Sequence, residues 1–159
     1  MAIMLSAFEV INVAVEIEKN GYRFYTGAAK TTRNIPVADT FRFLADEETN
    51  HQKVFEELLK TAPHAAITES YPGELNLYLK ALADAVLFKQ EEGIKKVIAK
   101  TVSEREALDM GIQAEKDSIL YYQEISRFVS DKEKTLVEKI IIEEKNHLVK
   151  LNGLYGPLV

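Results

Sequence analysis

The chain has 159 residues, enough for one domain with its own core, and it contains no cysteine, which excludes disulfides, iron–sulfur clusters, a rubredoxin-type iron site and thiol catalysis. Lys and Arg total 20 against 25 Asp and Glu, a formal net charge of −5, and no segment clusters basic residues, so nucleic acid is not an expected partner. No uncharged run approaches the roughly 20 apolar residues that span a bilayer, so no membrane partner is expected and the cytoplasm is the expected location.

The opening Met1-Ala2-Ile3-Met4-Leu5 has no basic residues before it and is soon followed by Glu9, Glu16 and Glu18. It reads as the first turn of a helix and not as a signal peptide. The first long helix is predicted from about Leu5 to Ala29, with Phe8, Ile11, Val15, Tyr22 and Tyr25 at three- and four-residue steps. The polar run Lys30 to Asn34 breaks it. Pro36 then suits the first position of a second long helix, where a missing N–H costs nothing, and this helix carries Phe41, Leu44, Phe55 and Leu58 before stopping near Thr61-Ala62-Pro63.

Residues 64–102 form a long connection with Tyr71-Pro72-Gly73 as its clearest turn. It is predicted to hold one helix over Glu74 to Lys89 and a shorter one over Glu91 to Lys100, enough chain to cross the length of a bundle. His64 reads as a surface residue at a helix end. A third long helix follows Ser103, whose spacing to Glu106 is that of a capping box, and runs to about Val129. Ser130 and Glu133 repeat the device for a fourth, which ends near Asn152 before Gly153 and Gly156-Pro157. So short a link makes the last two helices an antiparallel hairpin. The expected fold is all-α, one domain over 1–159: a four-helix bundle with a long helical connection between its second and third helices.

Chemistry enters through a repeated pattern. Glu18 lies on the first long helix and Glu48-Thr49-Asn50-His51 on the second; Glu115 lies on the third and Glu144-Lys145-Asn146-His147 on the fourth. Glu48 and His51 follow Glu18 by 30 and 33 residues, and Glu144 and His147 follow Glu115 by 29 and 32. Glu18-Lys19-Asn20-Gly21-Tyr22-Arg23-Phe24-Tyr25 also matches Glu115-Lys116-Asp117-Ser118-Ile119-Leu120-Tyr121-Tyr122, so one hairpin reads as a duplicate of the other, related by a pseudo-twofold axis.

A three-residue spacing puts each Glu and His of the two pairs on one helix face. That face also carries the apolar residues, so all six side chains point inward. A single Glu-x-x-His is as well explained by an ion pair or a surface coincidence. Two copies at matched offsets, each with a lone upstream glutamate in an apolar stripe, are not. Buried carboxylates without partners cost several kcal/mol or take up protons, and four together repel. Two divalent cations balance four glutamates and leave both histidines neutral, which favours two metals over one. Oxygen donors with one nitrogen per metal suit iron or manganese, and zinc can compete.

Tyr25 and Tyr122 each stand seven residues after the lone glutamate, two turns along the same face. They are the candidate catalytic residues, placed to hydrogen-bond a ligand glutamate or to relay an electron or proton. Gly21 and Gly111 are poor helix formers whose cost, about 1 kcal/mol each, close helix approach or room beside the metals would offset. Glu16, Glu47, Glu104 and Glu143 fall off the inward stripe and read as solvated.

These residues resemble those of the ferritin-like superfamily and, within it, the rubrerythrin-like proteins. The resemblance spans about Phe8 to Leu154, with the middle connection matching least. Glu18, Glu48, His51, Glu115, Glu144 and His147 fall on the family's metal-ligand positions, and Phe24-Tyr25 after Glu18 adds to the signature. It implies a ferritin-like bundle, two iron ions as cofactor, dioxygen or hydrogen peroxide as the oxidant, and an oxidoreductase of peroxidase or ferroxidase type. Rubrerythrins usually carry a further glutamate three residues after the third-helix ligand, a position held here by Ser118, and often a Cys-rich rubredoxin domain. Redox turnover would therefore need a separate electron donor, and the four-Glu, two-His set is more like that of bacterioferritins and di-iron oxygenases. The alternatives are non-catalytic iron binding or storage, and a bundle that metal merely staples. No shell-forming feature is evident; a homodimer is the assembly considered, and the sequence does not fix the oligomeric state.

Overall fold

The computed structural model describes residues 5–67 and 74–155. Met1 to Met4, Tyr71-Pro72-Gly73 and Gly156-Pro157 lie outside the described residues. The described residues form five helices: α1 (Ala7–Ala29), α2 (Ile35–Leu59), α3 (Glu74–Ile98), α4 (Glu104–Ile125) and α5 (Asp131–Gly153). None of them is long and apolar enough to cross a membrane.

The helix starts follow local chemistry. Ser103 and Ser130 cap α4 and α5 through reciprocal bonds with Glu106 and Glu133, as their spacing predicts. Ser6 and Glu9 make the same box on α1, so that helix begins after Ser6 and not at Leu5. Asn34 caps α2, which starts one residue before Pro36. α4 stops at Ile125, short of the expected Val129; the Ser126 N–H already bonds back into the last turn, and residues 126–129 form the turn that reverses the chain.

The connection differs more. Instead of two helices it holds one, α3, unbroken through Gln90. Nothing at 89–91 forces a stop, and packing holds the junction: Gln90 is buried and accepts a hydrogen bond from Asn20, while Gly93 lets the Phe24 ring lie 3.6 Å from where a Cβ would sit. α3 runs parallel to α1 along its outer side, with Asn76 accepting from the Leu5 N–H at one end and Val97 against Gly27 at the other. His64 is exposed, with its ring stacked 4.3 Å from that of Phe8.

α1, α2, α4 and α5 form the bundle, and its interior falls into two apolar clusters. One includes Val10, Ile11, Val15, Phe55, Tyr121, Tyr122, Val137 and Ile140. The other includes Phe24, Tyr25, Phe41, Leu44, Leu108 and Leu151. On every bundle helix the residues between the two clusters are those of the repeated Glu/His pattern. Tyr22, expected on the inward stripe of α1, is 44% exposed, and Phe24 fills the core in its place.

α3 ends in a Schellman arrangement: the Thr101 N–H bonds to Lys96 O and the Lys100 N–H to Val97 O. Lys100 must adopt φ 53° to make this turn, a conformation that glycine adopts without penalty. Lys100→Gly is expected to raise the unfolding free energy by about 0.5–1 kcal/mol, measured by urea denaturation, because relief of strain exceeds the entropy lost.

Candidate metal centre

The bundle brings all six predicted residues together. Glu18 from α1, Glu48 and His51 from α2, Glu115 from α4, and Glu144 and His147 from α5 are each no more than 5% exposed. They form two overlapping groups whose ligand atoms lie within 4.8 Å of one another: Glu18, Glu48, His51 and Glu144, then Glu48, Glu115, Glu144 and His147. Glu48 and Glu144 are common to both. The two imidazoles stack 5.6 Å apart, 20° from parallel.

Both histidines turn Nδ1 toward the carboxylates. His51 Nδ1 lies 3.1 Å from Glu144 Oε1 and 3.6 Å from Glu18 Oε2, and His147 Nδ1 lies 3.0 Å from Glu144 Oε2 and 3.7 Å from Glu115 Oε2. The far nitrogens meet two residues that read as solvated from sequence. His51 Nε2 is 3.0 Å from Glu143 Oε2, and His147 Nε2 is 3.9 Å from Glu47 Oε2. Glu47 and Glu143 are thus half-buried, each on the helix opposite the histidine it faces. The Glu143 acceptor keeps a proton on His51 Nε2 and leaves the Nδ1 lone pair for a metal, while Glu47 stands beyond hydrogen-bond reach of His147 Nε2 and acts on it by charge alone. The signal in the sequence was the second glutamate immediately before each Glu-x-x-His. Glu16 is a surface residue paired with Lys19, whereas Glu104 is half-buried and accepts a hydrogen bond from Thr32.

Tyr25 and Tyr122 are fully buried and cross the bundle. Tyr25 on α1 donates to Glu115 on α4, and Tyr122 on α4 donates to Glu18 on α1. Burial, reinforced by Glu115 around Tyr25 and Glu18 around Tyr122, pushes both phenols well above their usual range, so they stay protonated donors. Ser118 is buried and adds no carboxylate to the set. Gly21 makes room for a ligand: a Cβ there would sit 2.8 Å from the Glu48 carboxyl carbon. Gly111 serves close approach, since its Cβ would meet Tyr25 at 3.3 Å and Leu151 at 3.4 Å.

Without metal the cluster holds protons instead. Burial, then repulsion from Glu18 and Glu144, pushes Glu48 well above the usual carboxylate range. Burial and Glu144 do the same to Glu115. For Glu144 burial acts upward, but hydrogen bonds from Glu115, His147 and His51 outweigh it and hold this carboxyl low. Burial opposes the charge on His51, yet its contacts with Glu144 and Glu18 raise it to about 11, and His147 is likewise raised to about 9 by Glu115 and Glu144. Dications bound there would take over the role of the protons that Glu48, Glu115, His51 and His147 favour, and the Nδ1 protons lie where the nitrogen lone pairs would meet a metal. Glu18 Oε2 is buried without a hydrogen-bond partner, an acceptor that a cation would satisfy. The donor set therefore fits a pair of divalent ions.

A family model described as rubrerythrin matches residues 9–155. No curated protein matches the chain. Among solved structures, the chain is similar to that of a Thermotoga maritima protein described as a ferritin-like diiron-carboxylate protein, at 26% identity over 95% of each chain with a TM-score of 0.69.

Two outcomes are expected. Loading dications at pH 7 should release protons, those of His51 and His147 among them, read with an indicator dye, and affinity should rise with pH through about 9, since fewer protons then compete for the ligands. Gly21→Ala should leave the metal-free fold intact, because the Glu48 side chain can swing aside, but weaken metal binding by about 10-fold or more, measured by competition with a chromophoric chelator.

Proposed function

This chain belongs to the rubrerythrin family, and on that premise we propose that it is a di-iron oxidoreductase that reduces dioxygen or hydrogen peroxide. One observation supports the reading above the others: Glu48 and Glu144 are shared by both ligand groups, so two ions held there are coupled neighbours and not independent sites. In this reading Glu18 and His51 would hold one ion and Glu115 and His147 the other, with Glu48 and Glu144 within reach of both. Oxygen-rich donors with one imidazole nitrogen per ion suit iron or manganese, and zinc competes for the same set.

Two iron ions bound there supply electrons and open coordination positions for the oxidant, which carboxylates and imidazoles alone lack. The chain's own residues hold, shield and deliver protons. Tyr25 and Tyr122 each donate to one oxygen of a terminal ligand, Glu115 or Glu18, which restrains how those carboxylates turn as the charge beside them changes. They are also the nearest phenolic O–H groups, positioned to pass a proton or an electron inward. Glu143 and Glu47 orient the imidazoles from outside, and the apolar clusters on either side keep bulk water from the ligands.

Ser118 cannot take the part of the further glutamate through which rubrerythrins swap a carboxylate for a histidine. None of these 159 residues is cysteine, so no rubredoxin-type iron site lies among them to pass electrons to the centre. Both points favour direct oxidation of bound ferrous ions over the peroxidase cycle of rubrerythrins that carry their own rubredoxin domain.

Stopped-flow mixing of anaerobic Fe(II)-loaded protein with dioxygen or peroxide tests the proposal. Oxidation is expected at least about 10-fold faster than in a Glu18→Ala, Glu115→Ala variant, with no more than two irons held per chain. Equal rates would remove the oxidoreductase reading. Stabilisation by metal without turnover would leave a staple, and uptake of many irons per chain would indicate storage.

A further inference from the structure

A recess of about 420 Å³ opens between α1, α3 and α4, away from the histidine side of the centre. This volume is within the range of about 300–1,000 Å³ that small organic ligands occupy. Its apolar wall is built from Phe24, Phe88, Met110 and Ala114, with Asn20, Gln90 and Gln113 as polar members of the lining, and Gly93 keeps the base beside the Phe24 ring open. Phe88 is 69% exposed, a large aromatic side chain left in water at the edge of a cavity.

Charge around the recess is uneven. Lys89 lies 3.9 Å from Asp117, and Glu92 lies 3.3 Å from Lys95, so these rim charges are paired. Lys96 also lines the recess and takes part in no ion pair within 4 Å among the described residues. Lys96 therefore has no carboxylate at ion-pair distance and can donate to an occupant, although its charge also acts on Glu106. Gly21 lines the same recess and abuts the Glu48 carboxylate, which brings any occupant to within one residue of a metal ligand.

We propose that this recess binds a small organic monoanion with a ring-bearing apolar body, the ring against Phe24, Phe88 and Met110 and the acidic group toward Lys96. The aromatic and Met surface favours an occupant with an apolar body over a small hydrophilic ion, which would leave that surface in water. The unpaired Lys96 selects an anion over a cation. The inference concerns binding alone and does not depend on whether the centre reacts with dioxygen or peroxide.

Calorimetric titration of the iron-loaded full chain with naphthalene-2-sulfonate, a poor metal ligand, tests it, with 2-naphthylmethanol as the uncharged counterpart. One saturable site per chain is expected, with binding about fivefold weaker for the alcohol and for Lys96→Gln, whose exposed side chain the fold does not need. Met110→Trp, which fills the recess, should abolish binding, and Gly93→Leu should do the same if it folds. Absence of saturable binding, or binding unchanged in both Met110→Trp and Lys96→Gln, would overturn the site. Equal affinity for sulfonate and alcohol would overturn the anionic class. Affinity that falls as chain concentration rises would mean that a second copy covers the recess, and would overturn the small-molecule occupant.

Discussion

Four carboxylates packed into an apolar interior repel one another, and burial weakens the solvent screening of that repulsion. Most of the molecule can be understood as a response. The residues that meet these carboxylates are donors: two imidazole Nδ1 atoms, two buried phenols, and protons retained on Glu48 and Glu115. The helices themselves must be long, because the polar layer interrupts the core midway and each apolar cluster needs its own share of every helix. Clusters on both sides then hold the backbone rigid enough for six side chains from four helices to converge. Proton and metal compete for one set of lone pairs, so the site is never left with its full negative charge.

Much of this was legible in the sequence because helical periodicity and ligand spacing are the same arithmetic. Placing Glu48 and His51 three apart on the face of Phe41 and Phe55 fixed both their helix and their direction. Capping boxes at Ser103 and Ser130 marked real boundaries. Readings that failed did so where a residue's fate depends on a neighbouring helix. Glu47 and Glu143 sit off the inward stripe of their own helices and look solvated until the opposite helix brings a histidine to each. Which glutamates are shared was likewise hidden, since it depends on how far the helices slide along one another. The continuity of α3 through Gln90 comes from burial against α1, a contact that no local pattern announces.

The two sides of the centre differ in surroundings. On the α2 and α5 side, the imidazoles are backed by carboxylates that reach toward solvent. On the α1 and α4 side, α3 lies across the bundle and leaves an apolar recess beside Gly21. A family fold that tolerates several chemistries needs such asymmetry, because the ligands alone are nearly symmetric. With Ser118 in place of a further carboxylate, the ligand set retains that symmetry, and distinction between substrates falls to what surrounds it.

The crossed tyrosine bonds make the two hairpins depend on each other. Each hairpin brings a lone glutamate, a Glu-x-x-His and a tyrosine, yet that tyrosine reaches the glutamate of the other hairpin and not its own. Neither half is therefore self-sufficient: a shift of one hairpin along the other would undo both bonds at once, and α3 is the tether between them.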